Sequence, residues 1–249
     1  EFFSGQRLMT SYIRVGGLSV EPPRGWEKVV GNFIRQLPAK IDEYEGLLTE
    51  NPIFLKRTKE VGYLPVERLL ELGVTGPMIR AAGVQWDIRK SEPYSGYEKF
   101  DFNVPVQQAG DVFARFRVRM DEMRESIKIV EQCLAGMPGG PIRADAPKVV
   151  LPDREKMKTQ MEALIYHFKI VTEGFRVPVG EAYVPVESPR GELGFYVVSD
   201  GTSKPLRVFM RTPSYGNLQA LSELFQDKLI SDSIATLGSM DFVLGDVDR

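Results

Sequence analysis

Apolar residues recur every three or four positions along two long stretches of this chain, and that spacing predicts its main helices. From Trp26 to Leu48 the stripe is Trp26, Val30, Phe33, Leu37, Ile41, Tyr44 and Leu48. Pro38 lies inside it and predicts a kink or a split, because proline lacks the N–H that an internal turn requires. The strongest element runs from about Gly110 to Leu134. There Phe113, Phe116, Met120, Met123, Ile127, Val130 and Leu134 alternate spacings of three and four. Such a helix is about 38 Å long at the usual rise per residue, and so regular a stripe predicts bundle packing against another long helix. Gly136 and the run Pro138-Gly139-Gly140-Pro141 end it.

The same reasoning places weaker elements. Residues 1–14 read as a helix stopped by Gly16-Gly17, and Pro22-Pro23 forces an extended turn. Between residues 51 and 108 the pattern is broken: Asn51-Pro52 and Thr75-Gly76-Pro77 are turn signals, Pro65 to Leu72 suits a two-turn helix, and Ser91 to Pro105 reads as an ordered loop. One helix is predicted from Pro152 to Glu173, stopped by Gly174, with Met157, Met161, Leu164, Ile165 and Phe168 facing inward. From Gly180 to Thr212 the pattern changes to three strands around Tyr183–Val186, Phe195–Val198 and Leu206–Phe209. Asn217 to Leu237 returns to helix. The expected class is mainly α with a small β portion (α+β), in a single domain spanning 1–249.

Composition narrows the function classes. The chain has 249 residues and a net charge of −2 from nearly balanced acids and bases, so it carries no basic footprint for nucleic acid. No apolar run reaches the ~18 residues of a membrane span, so membrane association is expected to come through a partner. One cysteine, Cys133, and one histidine, His167, exclude a disulfide framework or a Cys/His zinc site made by this chain alone. Both are expected to be structural: Cys133 as a packed thiol and His167 as a hydrogen-bonded helical side chain. No glycine-rich dinucleotide loop, Walker-type loop or HExxH is present, so nothing indicates binding of NAD or ATP. The start, Glu1-Phe2-Phe3-Ser4-Gly5, has no initiator Met or targeting pattern, and it suggests the C-terminal part of a longer protein or a mature fragment.

Three segments carry candidate chemistry, each with a plainer reading beside it. Tyr12-Ile13-Arg14-Val15-Gly16-Gly17 sets a permanent cation before two glycines that admit close approach; Arg14 would equally suit a helix C-terminus. Glu187-Ser188-Pro189-Arg190-Gly191-Glu192 is a hairpin turn, or a turn that presents Arg190 to a cavity. The tail Asp241-Phe242-Val243-Leu244-Gly245-Asp246-Val247-Asp248-Arg249 is a solvated acidic end, or a wall of charged groups.

The tail also resembles the closing D-P-C-x-x-C-x-x-H/R segment of nickel–iron hydrogenase large subunits, with Val243 and Asp246 in place of the two metal-binding cysteines and Arg249 in place of the last residue. Further stretches, taken in order, resemble the quinone-reducing relatives of those enzymes, the 49-kDa family of respiratory complex I. They are Ser11–Gly17, Pro93–Tyr97, Gly110–Phe113 running into Arg119–Ser126, Met161–Lys169, Thr172–Gly174, Glu187–Gly194 and Val198–Gly201.

The resemblance implies a long-helix bundle like the hydrogenase large subunit. It implies a proton-translocating NADH:quinone oxidoreductase in which ubiquinone or menaquinone is the substrate and a partner subunit holds a 4Fe–4S cluster; no cofactor is bound covalently by this chain. Expected partners are that 4Fe–4S small subunit, a 30-kDa-type subunit and a membrane-arm subunit. The expected location is the cytoplasmic face of a bacterial inner membrane, or the matrix face in a mitochondrion. Arg190, Asp241, Val243, Asp246 and Arg249 would line the quinone cavity, while Met9 and Arg14 would lie near the partner's cluster. Many members have His where this chain has Met9, and Met takes up no proton. The family's headgroup-binding His and Tyr fall in an N-terminal half absent here. Two other readings remain: the same quinone module fed by ferredoxin or a deazaflavin, and a non-catalytic assembly scaffold.

Overall fold

A computed structural model describes residues 1–248. In chain order its elements are β1 (Ile13–Arg14), β2 (Gly17–Leu18), α1 (Trp26–Leu48), α2 (Pro52–Thr58), α3 (Val66–Glu71), α4 (Pro77–Ala81) and α5 (Ile88–Ser91). After a 3-10 turn at Tyr97–Lys99 come α6 (Val112–Gly136), α7 (Arg154–Thr159), α8 (Met161–Thr172), β3 (Gly180–Ser188), β4 (Gly191–Ser199) and β5 (Arg207–Arg211). The chain closes with α9 (Pro213–Leu218), α10 (Leu221–Leu224), α11 (Ile230–Met240) and α12 (Leu244–Asp248). The predominance of helix with small sheets is the α+β class that the periodicity predicts.

The chain divides into two compact units. The first comprises Glu1–Val30, Gly136–Ala182 and Val197–Val208; the second comprises Gly31–Ala135, Tyr183–Tyr196 and the chain from Phe209 onward.

In the first unit, β1 and β2 pair antiparallel, Ile13 opposite Leu18 and Arg14 opposite Gly17. The expected helix over 1–14 does not form. Met9 takes a left-handed φ of 48°, and Leu8, Met9, Ile13 and Val15 stay exposed. A helix this short is marginal unless one face is buried, and its described cover is partial, with Phe3 half-buried edge-on against Tyr12 and Trp26. The hairpin is extended by the segment after Pro141: Leu18 N–H donates to Ile142 O at 3.0 Å and Ala144 N–H to Gly16 O at 2.8 Å. Gly17, at φ 139°, has Ile142 O where a Cβ would stand. The helix expected from Pro152 to Glu173 is split at Gln160, whose backbone is extended at φ −125° and ψ 117°. Its expected inner face is also corrected: Met161, Leu164, Ile165 and Phe168 are exposed, and Ala163 is the buried residue of α8. Periodicity identifies the apolar face of a helix but not whether anything covers it.

In the second unit, to which α1 belongs from Gly31 on, that helix is continuous through Pro38, so the proline does not split it. Ile34 and Ile41 are its buried positions. α6 has the predicted length, but its buried side is not the whole stripe. Met120 and Ile127 are buried as expected, while Phe113, Phe116, Met123, Val130 and Leu134 are half-buried. Ala114, Arg115 and Val118 take the deepest places instead. The stripe's first aromatics pack edge-on against Phe54 of α2, with ring centroids 6.3 Å and 5.3 Å apart. α6 is tied to α1 by ion pairs of Arg117 and Arg124 with Glu45, both at 2.5 Å. The main apolar core joins Leu64, Leu69, Val74, Met78, Leu224 and Met240. The helix expected over Asn217–Leu237 is three helices, interrupted where Asp227 takes a left-handed φ of 56°. Cys133 is half-buried, not a fully packed thiol.

The three predicted strands form one sheet in the order β3-β4-β5. β3 and β4 are joined by the two residues Pro189 and Arg190, the tight connection that an antiparallel pair allows.

Candidate functional site: an ionic cluster behind the Arg190 turn

The β3–β4 turn is held from both sides by backbone fit. Gly76 (φ 73°) and Gly191 (φ 136°) lie so close that a Cβ on Gly76 would stand 2.5 Å from Arg190 O. Side chains lock the approach. Thr75 Oγ1 accepts from Glu192 N–H at 3.0 Å, Asn217 Nδ2 donates to Arg190 O at 3.2 Å, and Asn217 Oδ1 accepts from Thr75 N–H at 3.2 Å. The backbone around Arg190 is therefore held by segments far apart in sequence.

The side chain of Arg190 turns to the tail. Its Nε donates to Asp241 O at 2.7 Å, and Nη2 lies 3.7 Å from Asp241 Oδ1. Asp241 caps α11 in the left-handed conformation, φ 53° and ψ 42°, which Asp tolerates better than most residues. The two other described tail positions meet at Ser214, the second residue of α9: Asp246 Oδ2 accepts from Ser214 N–H at 2.9 Å, and Val243 N–H donates to Ser214 Oγ at 3.4 Å. An anion beside the free N–H groups of a first helical turn is favourable. The structure thus brings Arg190, Asp241, Val243 and Asp246 into one neighbourhood; Arg249 lies outside the described residues.

Behind this turn lies a cluster that the sequence reading missed. Arg80 of α4 is 2 % exposed. Its Nε pairs with Glu122 of α6 at 2.7 Å, and its Nη1 pairs with Glu187 of β3 at 2.8 Å and donates to Trp86 O at 3.1 Å. Glu187 also accepts from Ile88 N–H at 3.3 Å. Asp87 pairs with Arg89 at 2.6 Å beside them. Burial opposes the charge on Arg80, but Glu122 and Glu187 more than offset it, and its pKa is raised. Burial raises the pKa of both carboxylates, against the pull of Arg80. Two further arginines of α6, Arg115 and Arg119, have lowered pKa values, burial being the main cause in each; Arg115 falls to about 9. The missed signal was an arginine inside an apolar run, Pro77-Met78-Ile79-Arg80-Ala81-Ala82, and arginines at every second position of 115–119. A charge embedded among core residues must find partners, because an unpaired buried charge is costly.

The other two candidates belong to the first unit. Met9 is 97 % exposed. Arg14 is exposed and donates from Nε to Ser11 O at 3.0 Å. Arg14 lines a cavity of about 840 Å³ with Tyr12, Arg143 and the half-buried His167. Among the described residues no group of three or more His, Cys, Asp or Glu side chains is placed to hold a metal ion.

Comparison with known proteins decides the family. The model of the respiratory-chain NADH dehydrogenase 49-kDa subunit matches residues 1–249. The chain belongs to the 49-kDa subunit family of respiratory-chain NADH dehydrogenase. Among its relatives, the first of the NADH-quinone oxidoreductase D subunits of Solibacter usitatus is 66% identical over 249 residues, which are 100% of this chain and 61% of that protein. The second D subunit of Koribacter versatilis NADH-quinone oxidoreductase is 62% identical over the same length, 62% of its own chain. The D subunit of the Geotalea uraniireducens enzyme is 47% identical, with 64% of its chain covered. The chain therefore spans about six-tenths of the length of these relatives. No described helix is long and apolar enough to cross a membrane.

Proposed function

We propose that this chain serves as the quinone-facing subunit of a proton-translocating NADH:quinone oxidoreductase. In that role a partner subunit supplies electrons from a 4Fe–4S cluster, and a quinone, ubiquinone or menaquinone, accepts them. The observation that carries the reading is the whole-chain match to the 49-kDa family, with relatives named as NADH-quinone oxidoreductase subunits. The grouping of Arg190 with Asp241, and of Val243 and Asp246 on Ser214, supports a cavity wall at the tail. Arg249 is assigned to the same wall. Val243 and Asp246 are not thiolates, so the tail offers a headgroup an apolar and acidic lining in place of soft metal ligands.

In this reading residues 1–249 are parts of one hydrogenase-large-subunit-like domain. Arg14 and Met9 face the partner's cluster, where the fixed charge of Arg14 favours the reduced form. The remaining partners are a 30-kDa-type subunit and a membrane-arm subunit, and the chain associates peripherally with the membrane through them, on the cytoplasmic face in a bacterium.

The test is complementation. A strain lacking its own 49-kDa-type subunit is supplied with the full-length gene that includes this sequence, and its membranes are assayed with NADH and quinone. Inhibitor-sensitive quinone reduction and nickel far below one atom per complex are expected. Stoichiometric nickel, or reduction that needs ferredoxin or a deazaflavin in place of NADH, would overturn the assignment.

A further inference from the structure

Three arginines of the second unit, the buried Arg80 and Arg115 and the half-buried Arg119, are not alike. Arg80 has two carboxylates and a backbone carbonyl. Arg115, also 2 % exposed, donates to Gly62 O, Gly110 O and Ser239 Oγ, each at 2.9 Å. Those bonds join two loops to the end of α11, so Arg115 is a structural tie, although its Nη2 has no partner among the described residues. Arg119 lies one turn further along α6 and differs. Its only hydrogen bond among the described residues is a long one, Nη1 to Arg115 O at 3.4 Å. Its Nε is closed off from solvent and has no partner among those residues. Nor does it make an ion pair with any of them, although Asp241, Glu122, Arg190 and Arg80 are its electrostatic neighbours.

A donor closed off from water needs an acceptor. The described chain satisfies Arg80 and ties Arg115 three ways, but leaves Arg119 an unused N–H beside the residues of the tail wall. The surrounding charges say what kind of acceptor is missing. Arg119, Arg190 and Arg80 contribute three positive charges, and Asp241, Glu122 and Glu187, the last paired with Arg80, contribute three negative ones. A polyanion such as phosphate would meet the repulsion of these carboxylates. A neutral acceptor, a carbonyl oxygen on an otherwise apolar molecule, fits a site whose charges already balance.

We propose that Arg119 is a ligand-binding residue of this site, its Nε–H donating to a carbonyl oxygen of the bound quinone headgroup beside Arg190 and Asp241. The proposal rests on the quinone reading given above. It adds to the tail wall a residue from the middle of the long helix.

The test uses the assembled complex carrying the full-length chain, with rates normalised to cluster content. In Arg119→Met the KM for a short-chain quinone analogue rises about tenfold, equivalent to about 1.4 kcal/mol, while kcat changes less than threefold. Such a split marks lost substrate binding and not lost chemistry. Arg119→Lys, which keeps a charge but not the planar donor, falls between the two. A structure of the wild-type complex with the analogue bound places Arg119 Nε within about 3.2 Å of a headgroup oxygen. KM within twofold of wild type in Arg119→Met overturns the proposal, as does a headgroup oxygen more than about 4 Å from Arg119 in the loaded complex. The second measurement decides if the Met variant fails to assemble. Should Arg190→Met impair quinone reduction while Arg119→Met does not, Arg119 alone is misassigned. If the wild-type complex reduces no quinone, the reading of the whole site falls.

Discussion

Removing Arg80 should destabilise the second unit strongly, and more so as pH rises. Its guanidinium is 2 % exposed, with carboxylates at 2.7 Å and 2.8 Å, of which Glu187 is 3 % and Glu122 19 % exposed. Two unit charges with centres about 4 Å apart attract by about 4 kcal/mol at an effective dielectric of about 20. Replacing Arg80 by Leu forfeits two such attractions but also removes the cost of burying the cation. What remains is two carboxylates without their counter-ion, and breaking buried pairs in this way costs about 3–5 kcal/mol. The part of that cost carried by charge depends on protonation. Both carboxylates already have raised pKa values with Arg80 present, and without it they rise further. A carboxyl group whose folded pKa exceeds its unfolded one binds more protons in the folded state. Stability then falls as pH climbs from the unfolded value, near 4.5, to the folded one.

Native-state proteolysis of this chain in the assembled complex, at about pH 5.5 and about pH 8, reads the free energy of opening when reclosing outpaces cleavage. Arg80→Leu is expected to cost about 3 kcal/mol or more at the higher pH and measurably less at the lower. Adding Glu122→Gln and Glu187→Gln to Arg80→Leu should restore much of the loss, since the uncompensated charges go with them. A loss below about 1 kcal/mol at the higher pH, the scale of an exposed pair, would refute the reasoning. So would equal losses at the two pH values.

Three other outcomes are expected. Asn51 caps α2 by accepting from Ile53 N–H at 2.9 Å and Phe54 N–H at 3.2 Å, so Asn51→Ala should lower the proteolytic opening energy by about 1 kcal/mol, whereas Asn51→Asp should not. Gly191→Ala places a Cβ against Thr75 at a φ of 136°; it should shift the Arg190 turn and lower quinone reduction roughly tenfold or more, and wild-type activity would show that the turn has slack. With Met9 in place of a protonatable residue, the midpoint potential of the partner's cluster should vary weakly with pH in a redox titration of the complex, and a slope of about 60 mV per unit, one proton per electron, would contradict this.

The legible parts of the fold were those decided by local chemistry. α1 and α6 fall where their periodic stripes lie, and the β3–β4 turn falls at Pro189-Arg190 between two apolar strands. What could not be read was what lies across from each face. The stripe of α8 matched that of a buried helix, yet Met161, Leu164, Ile165 and Phe168 are exposed. The first fourteen residues carry apolar side chains at helical intervals, yet Leu8, Met9 and Ile13 stay exposed, Phe3 finds only partial cover against Tyr12 and Trp26, and the segment does not become helix. A hydrophobic pattern records what a segment is able to bury; the structure depends on a partner surface that lies elsewhere in sequence.

The site shows the same division in terms of charge. Resemblance to a family singles out Arg190, Asp241, Val243 and Asp246, and the structure gives their proximity a mechanical basis in Gly76, Gly191, Asn217 and Ser214. Glu122 and Glu187 lie 42 and 107 positions from Arg80, their common centre, so no local spacing could join them. A different signal was available. Arg80 sits in an apolar run and Arg119 on the flank of a core helix, where a charge is tolerated only with partners. Following each such charge to its partners separates the three arginines: Arg80 is held by two carboxylates and Arg115 by three bonds, although its Nη2 also lacks a partner, whereas Arg119 has a single long bond among the described residues. On that basis Arg119, and not the more deeply buried Arg80 or Arg115, is the arginine whose role should depend on what is bound.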